Sequence, residues 1–181
     1  MRAALLLVPL LFSAAPLVAQ PAPDAPVGRH VAYLLESART GFAGLRGAPV
    51  YGAESPVAPS GWGSRHVMRV GGADARSTIR ANPRWNVMHV TEIPVAGTRA
   101  TADSLLARLA AEVAAVVPAG WQRLETNGRQ RFVGFMECGS AGREVTMQTS
   151  LPFQQPGITL IVYTFDSPCP ASTSTAPRPA G

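Results

Sequence analysis

Residues 101–137, TADSLLARLAAEVAAVVPAGWQRLETNGRQRFVGFME, carry the change of period that decides the fold. Leu105, Leu109, Val113 and Val116 recur at three- and four-residue spacing, with Leu106 and Val117 beside them. Arg108 and Glu112 fall on the opposite side, so the stretch predicts an amphipathic helix. Thr101 is placed to cap it, Asp103 suits the positive end of its dipole, and Pro118-Ala119-Gly120 stops it. From Trp121 onward the period becomes two. Asn127-Gly128, the strongest short hairpin signal, separates Trp121–Thr126 from Arg129–Glu137. A helix that needs cover is followed by strands able to supply it.

Towards the C-terminus, Gly139–Gly142 turns the chain into Arg143–Leu151. There Val145, Met147 and Thr149 alternate with Glu144, Thr146 and Gln148. Pro152–Gly157 leads to a last strand, Ile158–Phe165. Towards the N-terminus, Val31, Leu34, Leu35 and Ala38 mark a first helix over Val27–Thr40, with Gly41 where a left-handed cap is wanted. Gly47–Gly63 shows no period and reads as a long loop holding at most a short strand at Pro49–Ala53. Two strands follow, Arg65–Val70 and Trp85–Glu92, joined by a polar, arginine-bearing connection over Gly71–Arg84. The order α-β-β-α-β-β-β-β predicts an α+β two-layer sandwich. It has an antiparallel sheet of about five or six strands, with both helices packed on one face.

Residues 1–19 have the form of a signal peptide: Arg2, an uncharged run from Ala3 to Val18, and Ala19 before the cut. The apolar core is short and interrupted by Pro9 and Pro16, which argues against a permanent membrane span. Residues 20–26, rich in Pro and Ala, read as a disordered leader. Residues 27–167 form a single α+β domain, and residues 168–181 a disordered tail of Pro, Ser and Thr. The expected address is periplasmic or secreted. Every basic residue is arginine. Removing Arg2 from the sixteen basic residues leaves fifteen against eleven acidic ones, a balance that favours polyanions only weakly.

An oxidising compartment makes Cys138 and Cys169 a disulfide candidate. In a meander they stand two strands apart, roughly 9.6 Å, which exceeds the ~7 Å Cα limit of a bridge. Ser167-Pro168 must then curl back across the intervening strand, or the sheet order must depart from the chain order.

Phe42-Ala43-Gly44-Leu45-Arg46-Gly47 after the first helix and Val117-Pro118-Ala119-Gly120-Trp121 closing the second carry a likeness. The chain resembles a loose group of uncharacterised small secreted bacterial α+β proteins sharing a helix–two strands–helix–meander plan. The resemblance covers most of the folded body. It implies a fold and an extracytoplasmic address, and brings no activity, cofactor or catalytic residue with it.

The residues give little support to catalysis. A thiol hydrolase would pair Cys138 or Cys169 with His30, His66 or His89, but no family signature surrounds either cysteine. The closest run to a serine elbow is Gly61-Trp62-Gly63-Ser64, and a chain without lysine holds no P-loop. His66 and Met68 on one strand face form a weak candidate pair for a soft metal, and no cofactor is implied. Arg65, Arg69, Arg76, Arg80 and Arg84 crowd one region and form a weak candidate anion site. There are too few aromatics nearby for nucleic acid.

The last strand is apolar on both sides, Ile158, Leu160 and Val162 against Ile161, Tyr163 and Phe165. Phe132 and Met136 likewise oppose Val133 and Phe135. An apolar surface of Val133, Phe135, Ile161, Tyr163, Phe165 and Trp62 is therefore expected on the second sheet face. It would take a protein partner, a second copy of the chain or a small apolar ligand, with no membrane insertion after signal cleavage. The function expected is a non-enzymatic binding or interaction domain. The alternative is an accessory extracytoplasmic hydrolase with its site near residues 47–63.

Overall fold

The structure, a computed structural model, describes residues 19–52, 55–82, 86–137, 142–151 and 154–165. Helix α1 spans Val27–Ala38 and helix α2 spans Arg99–Ala114. Strands β1 (Arg46–Gly52), β2 (Ser55–Ser64), β5 (Arg76–Asn82) and β6 (Asn86–Pro94) lie between the helices. A small two-stranded hairpin, β3 (Arg69–Val70) with β4 (Ala73–Asp74), is inserted among them. After α2 come β7 (Gln122–Asn127), β8 (Arg131–Met136), β9 (Gly142–Thr149) and β10 (Gly157–Phe165). Eight of these strands form one antiparallel sheet in the order β1-β2-β5-β6-β10-β9-β8-β7. The fold is the expected α+β arrangement, with a sheet wider than the five or six strands read from the sequence.

The extra width comes from segments whose pattern hid them. Residues 47–63 were expected to be a loop, but they lie mostly in β1 and β2. Pro56, Pro59, Gly61 and Gly63 break any hydrophobic period there, yet Gly61 has a packing reason. A Cβ at that position would stand 2.5 Å from the carbonyl oxygen of Ile79 on the neighbouring strand. The polar connection over 71–84 contains β5, whose one enclosed apolar residue is Ile79. The expected strand over 65–70 reduces to Arg69–Val70 in the small hairpin.

Sheet order mirrors itself about the central β6–β10 pair, and each half consists of one helix and four strands of that sheet. The segments entering the first strand of each half share a sequence pattern. Ala43-Gly44-Leu45 runs directly into Arg46, the first residue of β1, and Ala119-Gly120-Trp121 into Gln122, the first of β7. The chain is thus an αββββ unit twice over.

Both helices cover the same face. Val31, Leu34, Leu35 and Ala38 of α1 are buried together with Leu106, Leu109, Ala110 and Val113 of α2. The helices meet closely at Gly28, where a Cβ would stand 2.8 Å from the Glu112 carbonyl oxygen. Glu112 also accepts a 2.8 Å hydrogen bond from the backbone N–H of Val27, serving the start of α1 in place of a side-chain cap. The cap of α2 lies three residues earlier than expected. Thr98 is the capping residue and Thr101 completes the reciprocal box. Replacing Thr98 with Ala should lower the urea-unfolding free energy by about 1 kcal/mol, while Thr101→Ser should change it less.

Within residues 20–26, expected as a disordered leader, Pro23 and Asp24 make defined contacts. The Pro23 carbonyl accepts from Arg69 N–H at 2.8 Å, and Asp24 pairs with the Arg69 guanidinium at 3.4 Å. No helix among the described residues is long and apolar enough to cross a membrane.

Candidate functional site

Strand register decides which side chains share a face. Phe135, Val145, Val162, His89, Ile79 and Trp62 stand in one row beneath the helices. The next row on that face is Val133, Met147, Leu160, Thr91 and Ser77. On the opposite face one row runs Met136, Glu144, Tyr163, Met88 and Arg80, and the next Gly134, Thr146, Ile161, Val90 and Thr78. The six residues expected to form one surface are therefore divided. Val133 and Phe135 are buried under the helices, and Trp62 shares their side with the Arg46 guanidinium 4.1 Å above its ring. Ile161, Tyr163 and Phe165 lie on the other side. The corrected grouping replaces the first three with Met88, Phe132 and Met136.

This second face, which neither helix covers, carries an apolar patch around Glu144. The patch is bordered by Arg80 beside Met88 and by the row Gln148, Thr159, Glu92 and Arg76 that continues from Phe132. Met88, Phe132, Met136, Ile161 and Tyr163 are half-buried, and Val90 is buried among them. Two glycines let aromatic rings fold down onto the sheet. The Phe165 ring occupies the space a Cβ at Gly142 would need, and a Cβ at Gly134 would stand 3.0 Å from the Phe132 ring. In the middle lies Glu144, buried, its carboxylate accepting a hydrogen bond from the Tyr163 hydroxyl. Burial pushes the Glu144 carboxyl up, partly offset by that hydrogen bond. Burial and then the neighbouring carboxylate push the Tyr163 phenol up as well, so it stays a donor at any ordinary pH.

A second polar constellation sits under α1, and it gathers every histidine of the chain. His30 comes from α1, His66 from the segment after β2, and His89 from β6. His30 Nδ1 and His66 Nε2 share a hydrogen bond of 2.9 Å, and the His66 and His89 rings meet edge to face at 5.4 Å. Ser64 Oγ lies 2.9 Å from His89 Nε2 and accepts the His66 backbone N–H at 3.1 Å. His89 Nδ1 reaches Thr91 Oγ1 at 3.3 Å, and Thr91 in turn bonds Ser77. Tyr33 stacks on His66, and Phe42 tilts against His89. Two ring nitrogens, His30 Nε2 and His66 Nδ1, are buried without a hydrogen-bond partner among the described residues.

All three rings are held neutral. Burial lowers His30, opposed by the carbonyls of Pro23, Ala22 and Ala25. Burial and then repulsion from His30 bring His66 down to about 4. Burial and then His66 bring His89 down to about 3. Sequence reasoning set these residues apart because they lie on three unconnected elements, and only the fold brings them together.

The Ser64–His89 pair has the separation of a nucleophile and its base but not the surroundings. His89 is wholly enclosed, its other nitrogen meets a hydroxyl rather than a carboxylate, and the Ser64 oxygen already accepts the His66 N–H. The geometry makes this a buried hydrogen-bonded seam. Of the weak soft-metal pair, His66 belongs to the seam and Met68 to the apolar core. Among the described residues no group of three or more His, Cys, Asp or Glu is arranged to hold a metal ion.

The arginines do not converge on one anion site. Arg69 is engaged by Asp74 at 2.9 Å and by Asp24, and Arg80 lies 3.9 Å from Glu92. Arg65 and Arg76 are exposed. Arg84, Cys138 and Cys169 lie outside the described residues, and the expected disulfide with them. The described strands around the two cysteines do follow chain order from β7 to β10.

Fold and sites together define an α+β sandwich with one sheet face closed by helices and the other left uncovered by them. No family model, curated protein or solved structure matches this chain.

Proposed function

We propose that the chain works outside the cytoplasm as a non-enzymatic binding domain, taking an apolar ligand or partner on the helix-free sheet face. The observation that carries this reading is the composition of that face. Met88, Phe132, Met136, Ile161 and Tyr163 lie around the buried Glu144 carboxyl as an apolar patch that ends at Arg80, Glu92 and Arg76 towards β5. Apolar side chains that gain nothing from water are retained on a surface when something else covers them. The address is supported by residues 1–19, with their short uncharged run and small residue before the cut.

Titrating the folded protein with 8-anilinonaphthalene-1-sulfonate at neutral pH, alongside sedimentation velocity, tests the reading. The expected result is saturable dye binding, or self-association that the dye competes with. Ile161→Arg should weaken either by at least about tenfold, roughly 1.4 kcal/mol. A folded protein that stays monomeric and binds no dye would remove the proposal.

A further inference from the structure

We infer that the exported chain carries a cyclised N-terminus, in which Gln20 becomes the first residue and closes on its own side chain as a pyroglutamyl lactam. This rests on the export reading, with cleavage after Ala19.

Gln20 is exposed, and the chain is fixed to the body from Pro23, three residues after it. The Ala25 N–H donates to the Ala22 carbonyl at 2.9 Å, and the Arg69 N–H to the Pro23 carbonyl at 2.8 Å. Ala19 and Pro21, on either side of Gln20, line a shallow depression with Arg29, Ala32, Tyr33 and Glu36. The new terminus is therefore held at the surface, where a five-membered ring meets no packing constraint and no strand hydrogen bond is lost by forming it.

The chemistry needs nothing from outside. An α-amine titrates near ~8, so a useful fraction is the neutral nucleophile at neutral pH. Its nitrogen attacks the Gln20 side-chain carbon Cδ, a new N–Cδ bond forms, and the Cδ–Nε2 bond breaks. Nε2 departs as ammonia, carrying away the proton that the amine gives up. No oxidant, metal or co-reactant enters. The product has lost the positive charge that an open terminus would add to a chain with an excess of arginine and with Arg29 close by.

Intact-mass measurement and Edman sequencing of the exported full-length gene product test the inference. The expected species begins at Gln20, is lighter than the open chain by one ammonia, shows that loss on Gln20 in fragment-ion sequencing, and resists Edman degradation. Gln20→Ala should give an open terminus that reads directly. A chain beginning at Gln20 with its amine open after prolonged incubation at neutral pH overturns the cyclisation and leaves export standing. A chain cut at any other position does the same. A chain still beginning at Met1 overturns the export reading and the lactam with it.

Discussion

Taking the protein from pH 7 to pH 5 should remove roughly 4 kcal/mol of folding stability, through His66 and His89 alone. Both rings are buried neutral, with folded values near 4 and 3 against 6.5 in the unfolded chain. The unfolded state therefore takes up protons first as the pH falls through 6.5, and the folded state cannot follow until much lower. Stability is fully present above 6.5 and is lost below it. Over that window each ring contributes about 1.4 kcal/mol per pH unit. His30 is shifted in the same direction and adds to the loss. Carboxylates do not confuse the reading. Arg143 holds Glu137 below its ordinary 4.5, so its contribution falls away only at lower pH. Glu144 is shifted up, so acid favours its folded form and works against the trend. A domain at the lower end of ordinary stability, about 5 kcal/mol, would be close to unfolding by pH 4. Urea midpoints at pH 7, 6 and 5 measure the slope, and ring proton shifts report each histidine. A flat midpoint across that range, or a ring titrating near 6.5 in the folded protein, would refute the neutral cluster.

Where the sequence has a clean period, the fold could be read from it. Helix α2 and the order of strands to Phe165 stand as expected. The enclosed stripe of α2, however, is Ala102, Leu106, Leu109, Ala110 and Val113, and the turn after Asn127 takes three residues, with Asn127 paired to Arg131. Reading fails where glycine and proline replace that signal. β2 is built of Pro, Gly and Ser around Trp62, and β5 shows arginines outward around one enclosed isoleucine. Their pairing is set by backbone approach at Gly61, and no hydropathy pattern records such an approach. The doubling of the αββββ unit was hidden for a related reason. The two halves share the Ala-Gly-apolar entry into their first strands, while their helices and sheets are made of different residues.

The candidate sites were legible in part. The two-sided apolarity of β10 pointed to a second surface, and register then assigned Ile161 and Tyr163 to it and Val133 and Phe135 to the core. Period two reports that two residues on one strand share a face; it does not report which face of a neighbouring strand aligns with it. The histidine seam left one local mark. His30 falls on the buried side of α1 beside Val31 and Leu34, the position of an ordinary core residue, and a polar side chain on that stripe was the one available hint.

Phe42→Ala should cost about 3–5 kcal/mol, and Phe42→Gly should cost about 1 kcal/mol less, although glycine removes even more of the side chain. Phe42 has φ of +57°, in the left-handed region, directly after Gly41 at +58°. The sequence offered one residue for a left-handed cap after α1, and the chain uses two. A phenylalanine accepts that backbone only because its ring is completely enclosed and tilts against His89 at 5.6 Å. Burial of the ring and backbone strain thus act in opposite directions at one residue. Both substitutions forfeit the same aromatic packing and open a cavity under α1. Alanine keeps the Cβ that makes left-handed backbone unfavourable, whereas glycine releases it. Greater freedom of glycine in the unfolded chain takes back part of that gain, which holds the expected difference near the lower end of the strain. Chemical denaturation of the three proteins at pH 7 gives the ranking directly. If the glycine variant were the less stable of the two, the left-handed turn would not be held against strain by the Phe42 ring, and the packing of His89 beneath α1 would need another cause.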